Sequence, residues 1–137
     1  MNSPYGNAAS GSGTSRALRL LIVDDSNIMR RRIERSQQFE DLHVVGAAAN
    51  GVEALELFRQ TDPDLVTMDL TMPQMDGIEC IEQLVALKPA IRILVISALA
   101  DKATAVEAME KGANGFLNKP FTDRQLNEAI AELMRSP

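Results

Sequence analysis

Five short apolar runs divide the chain, and most end where chemistry-bearing side chains begin. Leu18-Arg19-Leu20-Leu21-Ile22-Val23 leads into Asp24-Asp25, and Asp64-Leu65-Val66-Thr67-Met68 leads into Asp69. Ile91 to Ile96 leads into Ser97, Gly115 to Asn118 leads into Lys119-Pro120, and Leu42 to Ala48 precedes Asn50-Gly51, read as a turn. Several runs are nearly continuous in Leu, Ile and Val, as strands buried on both faces are. Helical patterns alternate with them. One is capped by Ser26 and runs to about Gln38; another spans Val52 to Gln60, turns Ala54, Leu57 and Phe58 inward and stops at Asp62-Pro63. After a loop from Met72 to Gly77, a third spans Gly77 to Leu87 and ends before Pro89. A fourth spans Asp101 to Lys111 with Gly112 as its C-cap, and a fifth is capped by Thr122 and aligns Leu126, Ile130 and Leu133. This alternation predicts an α/β fold: a doubly wound, five-stranded parallel sheet with five helices on its two sides.

Composition narrows the function classes. Of 137 residues, 45% are hydrophobic, enough for a packed core, and the length suits one domain. We expect residues 1–15, rich in Ser, Gly, Asn and Ala, to be a disordered tail, and residues 16–137 to be the folded domain. A net charge of −5 argues against a nucleic-acid partner. No apolar run is long enough to span a membrane, and the first residues lack the basic and apolar regions of a secretory signal, so a cytoplasmic location is expected. Cys80 and His43 each occur once; we read them as a buried helix residue and a partly exposed strand residue.

In an open parallel sheet, ligands bind beyond the carboxyl ends of the strands. Asp24, Asp25, Asp69, Ser97 and Lys119 should therefore converge on one crevice. Clustered carboxylates either rise in pKa or gather a cation. An all-oxygen donor set suits a hard ion, Mg²⁺ above all with Mn²⁺ as a substitute. A carboxylate can also attack phosphorus and form an aspartyl phosphate, with the metal and a lysine balancing charge on the phosphoryl oxygens.

Four segments carry a resemblance: Val23-Asp24-Asp25-Ser26; Met68 to Gly77, including Leu70-Thr71-Met72-Pro73; Ile96-Ser97-Ala98; and Gly112 to Phe121. Together they resemble the receiver domain of two-component response regulators, most closely the stand-alone CheY-like type, over Leu18 to about Met134. The resemblance implies the flavodoxin-like strand order 2-1-3-4-5. It implies that Asp69 is the phosphoacceptor, that Asp24, Asp25, Asp69 and the Thr71 backbone carbonyl hold Mg²⁺, and that Lys119 and Ser97 bind the phosphoryl group. It implies a cis Lys119-Pro120 bond and a switch in which Ser97 moves and Phe116 rotates. The face formed by the fourth helix, fifth strand and fifth helix would then change its protein binding.

The same resemblance implies a phosphohistidine donor on a histidine kinase or a histidine phosphotransfer protein. It also implies an output protein, a flagellar motor component or another effector, in chemotaxis or a phosphorelay. Such a chain acts as a phosphoacceptor switch, catalysing only its own phosphorylation and dephosphorylation. Thr71 and Leu99 would flank the path of the hydrolytic water and tune the phosphoryl lifetime. Arg30, Arg31, Arg32 and Arg35 read either as a docking patch for an acidic donor or as a solvated face with an Arg30–Glu34 pair. The alternative is an aspartyl-phosphate-forming phosphatase on a related fold, but such enzymes usually carry a second acid two residues after the nucleophile, where this chain has Thr71. A flavin electron carrier of similar topology is remote, since Asp24-Asp25 stands where a phosphate loop would and the chain has one Tyr and no Trp.

Overall fold

The computed structural model describes residues 17–72, 75–98 and 102–135. The expected tail, Pro73 and Gln74 of the loop after Asp69, Leu99 and the expected helix start at Asp101 lie outside the described residues. The elements alternate as β1 (Leu18–Val23), α1 (Asn27–Ser36), β2 (Leu42–Ala48), α2 (Gly51–Thr61) and β3 (Leu65–Met68), then α3 (Gly77–Leu87), β4 (Arg92–Ser97), α4 (Lys102–Glu110), β5 (Gly115–Asn118) and α5 (Asp123–Arg135). The strands form one parallel sheet in the order β2-β1-β3-β4-β5.

Alternation along the strands builds the two cores. Leu21, Val23, Val66, Met68, Ile93 and Val95 face α2, α3 and α4, where Ala54, Phe58, Cys80, Ile81, Leu84 and Ala108 meet them. Leu20, Ile22, Leu65, Leu94 and Ile96 face α1 and α5, where Ile33, Leu126, Ile130 and Leu133 meet them. Because successive side chains point to opposite faces, nearly every position of the central strands is apolar. Thr67 is a buried polar exception within β3, and its hydroxyl has no hydrogen-bond partner among the described residues.

Local chemistry sets the boundaries. The Ser26 side chain accepts from the Met29 N–H (3.2 Å), so α1 starts where expected. It ends at Ser36, two residues earlier than expected, because Gln37 is already extended. Asn50 and Gly51 are no separate turn: Asn50 is the N-cap of α2, accepting from the Glu53 N–H (2.8 Å), while Glu53 accepts from the Ala49 N–H (2.6 Å). That reciprocal arrangement follows the logic of a capping box. Asp62, at φ 48°, turns the chain out of α2 before Pro63. β4 begins at Arg92 rather than Ile91, whose N–H turns back to the Lys88 carbonyl (2.9 Å). Gly112 ends the α4 region at φ 121°, a conformation in which a side chain would be strained.

Candidate functional site

The sheet hydrogen bonds bring the acids together. The Asp24 N–H donates to the Ala48 carbonyl (3.0 Å) at the end of β2, and the Asp69 N–H donates to the Val23 carbonyl (2.9 Å) at the end of β1. Two neighbouring strands therefore present Asp24 and Asp69 side by side. One carboxylate oxygen from each of Asp24, Asp25 and Asp69 lies within 4.8 Å of the other two. Asp24 and Asp69 are buried, whereas Asp25 is exposed and opens the cluster to solvent. Lys119 enters from the end of β5, where its N–H donates to the Ser97 carbonyl (2.9 Å). Its Nζ stands 2.8 Å from Asp24 Oδ2 and 3.8 Å from Asp69 Oδ2. The Lys119-Pro120 bond is cis. Asp24 Oδ1 accepts from the Ser26 N–H (2.8 Å), and Asp69 Oδ1 accepts from the Thr71 N–H (3.3 Å).

Burial pushes the Asp69 carboxyl up from 3.8 to about 6, and the neighbouring Asp24 charge pushes in the same direction. Lys119 and the Thr71 N–H pull it back only in part, and Asp25 adds to the rise. Asp69 is thus mainly ionised at neutral pH yet more basic than an ordinary aspartate, which suits a nucleophile. One lysine against three acids leaves net negative charge in a half-closed crevice. The all-oxygen donor set, with its three carboxylates gathered within 4.8 Å of one another, fits a hard ion.

Ser97 and Phe116, the two residues expected to form a switch, share a face. Phe116 pairs with Val95 across the parallel ladder, and Ser97 lies two residues beyond Val95. Both side chains therefore point toward the α3–α4 side, where Phe116 is half-buried and Ser97 is fully buried. His43 is exposed on β2 and lies outside the acidic cluster. Cys80 is buried, and burial first, then Glu79 and Asp76, push its thiol up to about 12.

Two supporting contacts, made by Gly77 and Arg30, were not anticipated from the sequence. A Cβ on Gly77 would stand 2.5 Å from the Asp69 carbonyl oxygen and 2.6 Å from Leu70 Cα. The start of α3 thus lies directly against the backbone carrying Asp69, and only glycine permits that approach. The sequence placed a helix start at Gly77, but the contact is long-range. The second residue is Arg30, which does not pair with Glu34. Its Nη1 donates to the Asp24 carbonyl (2.7 Å) and its Nη2 to Asn27 Oδ1 (3.4 Å). Arg32 is committed as well: its guanidinium lies 4.3 Å from the Phe121 ring centroid and pairs with Asp123 (3.4 Å). Arg31 and Arg35 remain exposed on α1, so the four arginines are not one free patch.

The family model for the response regulator receiver domain matches residues 20–131, covering most of β1, the other four strands and the acid cluster. The chain belongs to the response regulator receiver domain family. This receiver domain is 41% identical over 113 residues to the chemotaxis protein CheY of Listeria monocytogenes, covering 82% of this chain and 95% of that protein. It superposes on the response regulator domain of Thermotoga maritima CheB with a TM-score of 0.76 at 34% identity, covering 89% of this chain and 100% of that one. A chain of the CheX-CheY-BeF3-Mg²⁺ complex from Borrelia burgdorferi gives a TM-score of 0.79 at 30% identity, covering 87% of the receiver domain and 90% of that chain. The expected strand order and flavodoxin-like fold are borne out. Among the described residues of the receiver domain, no helix is long and apolar enough to cross a membrane.

Proposed function

We propose that Asp69 accepts a phosphoryl group from a phosphohistidine donor and that the acyl phosphate switches protein binding at the face of α4, β5 and α5. The observation that carries this is the convergence of Asp24, Asp25 and Asp69 within 4.8 Å, with Lys119 bridging two of them. Asp24, Asp25, Asp69 and the Thr71 backbone carbonyl would hold Mg²⁺, or Mn²⁺ in its place. When bound, the ion offsets negative charge on the phosphoryl oxygens. A carboxylate oxygen of Asp69 forms the new bond to phosphorus as the phosphorus–nitrogen bond breaks and its electron pair stays on the donor imidazole. Lys119, released from Asp24, ion-pairs with a phosphoryl oxygen, and the Ser97 hydroxyl donates to another. Attack of water on the acyl phosphate later returns inorganic phosphate and the free carboxylate.

The switch follows from shared placement. Movement of Ser97 toward the phosphoryl group vacates space on the face that Phe116 also occupies, and rotation of Phe116 repacks α4 against β5. The chain then works as a phosphoacceptor switch in the cytoplasm, fed by a histidine kinase or a histidine phosphotransfer protein. Its likeness to CheY and CheB supports a chemotaxis setting, with a flagellar motor component or another effector as the output protein. No observation favours a phosphatase: the position two residues after Asp69 is Thr71, not an acid.

Incubation with Mg²⁺ and acetyl phosphate, followed by intact mass measurement, tests the chemistry. A phosphate-sized gain that is absent in Asp69→Ala and in EDTA is expected. A gain that survives Asp69→Ala, or none in the parent protein, overturns the assignment.

A further inference from the structure

We infer that Arg30 is a positioning residue for the acidic pair, fixing Asp25 in its cation-holding place by clamping the main chain between Asp24 and Asp25. This rests on the proposal that these acids hold a divalent cation. The Asp24 side chain is already secured, with the Ser26 N–H on one oxygen and Lys119 on the other (2.8 Å each). Among the described residues no hydrogen bond or ion pair holds the Asp25 carboxylate, and Asp25 is exposed. What sets its direction is the peptide plane joining it to Asp24. The oxygen of that plane is the Asp24 carbonyl, which accepts from Arg30 Nη1 at 2.7 Å.

The guanidinium makes this contact by folding back over the first turn of α1 and bracing against Asn27 Oδ1 (3.4 Å). A planar fork can reach a main-chain oxygen and a side-chain oxygen at once, and it brings positive charge to the foot of an acidic crevice. Arg31, the next residue, is exposed and supplies an internal control of equal charge. Groups that orient a ligand without touching the ion typically govern affinity by about 10–100-fold. A docking role for Arg30 differs in one respect: it would matter only when the phosphodonor is a protein.

The test uses the full chain. Mg²⁺ affinity is measured by calorimetry, Mn²⁺ affinity by paramagnetic resonance, and phosphorylation rate with acetyl phosphate, for the parent, Arg30→Met, Arg30→Lys and Arg31→Met. Arg30→Met should bind both ions about tenfold more weakly and react more slowly with acetyl phosphate. Arg30→Lys, which keeps the charge and one donor, should recover most of the affinity, and Arg31→Met should match the parent. If Arg30→Met fails to fold in metal-free buffer, Arg30→Gln compared with Arg31→Gln carries the same expectation. Parent-like affinity in the Arg30 variant, or a loss confined to transfer from a protein donor, overturns the positioning role alone. Absence of Mg²⁺ binding by the parent overturns the cation site and this inference together.

Discussion

Replacing Asp69 with Asn should stabilise the metal-free protein at neutral pH. The Asp69 carboxyl is 5% exposed and is pushed up from 3.8 to about 6, first by burial and then by Asp24. Holding it ionised at pH 7 therefore costs about 3 kcal/mol of folding free energy, net of the help from Lys119. Asn has nearly the same shape and carries no charge, so Asp69→Asn should recover an amount of that order. With a urea m-value of about 2 kcal/mol/M, the midpoint should rise by about 1.5 M. The pH dependence has a definite sign. A carboxyl with a raised folded pKa carries no penalty below about 4, where both states are protonated, and the full penalty above about 6. The gap between variant and parent should open between these values and stay flat toward pH 8. Urea unfolding in EDTA from pH 4 to 8 measures it. Saturating Mg²⁺ should then narrow the gap by stabilising the parent selectively. A variant no more stable than the parent at pH 7, or a gap of constant size across the range, would refute the electrostatic reasoning.

Lys119→Met should bind Mg²⁺ more tightly, by about tenfold, because the amine 2.8 Å from Asp24 no longer competes. The same variant should react with acetyl phosphate about 10²–10³-fold more slowly; tighter binding by calorimetry without a slower reaction would remove Lys119 from the chemistry. Gly77→Ala should lose about 1–3 kcal/mol in urea unfolding and slow phosphorylation, because its Cβ meets the Asp69 carbonyl oxygen at 2.5 Å; an unaltered rate would separate Gly77 from the site. Phe116→Ala should leave Asp69 phosphorylation nearly intact yet shrink the amide chemical-shift changes that BeF3⁻ causes across α4 and α5, and undiminished changes would count against the switch. Thr67→Val should gain about 1 kcal/mol, since the buried hydroxyl it removes has no partner among the described residues; a loss in thermal unfolding would reveal a hidden contact.

What could be read in advance, and what could not, divides by the range of the interaction. β1, β2, α3 and β5 lie where the apolar runs and Pro89 put them, because burial on both faces and helix-ending residues are local signals. The crevice was legible for a related reason: parallel strands all end on the same side, so residues after β1, β3, β4 and β5 must meet there. Misplaced boundaries came from single hydrogen bonds. Asn50 could be a turn or a cap, and the Glu53 contact decides it. Contacts between distant positions left no local trace. Gly77 against Asp69 depends on how α3 is laid over the strand ends. Arg30 folding back onto Asp24 competed with an equally plausible pair to Glu34, and the acid crevice won it. Likewise, the position of Lys119 nearer Asp24 than Asp69 depends on side-chain packing that spacing cannot encode.

A crystal of the protein grown with Mn²⁺ and BeF3⁻ would locate the ion by its anomalous scattering. The account predicts one strong peak in contact with carboxylate oxygens of Asp24 or Asp25 and of Asp69, with beryllium attached to Asp69 and Lys119 turned toward its fluorides. A peak elsewhere, or the three carboxylates splayed apart around no ion, would contradict it.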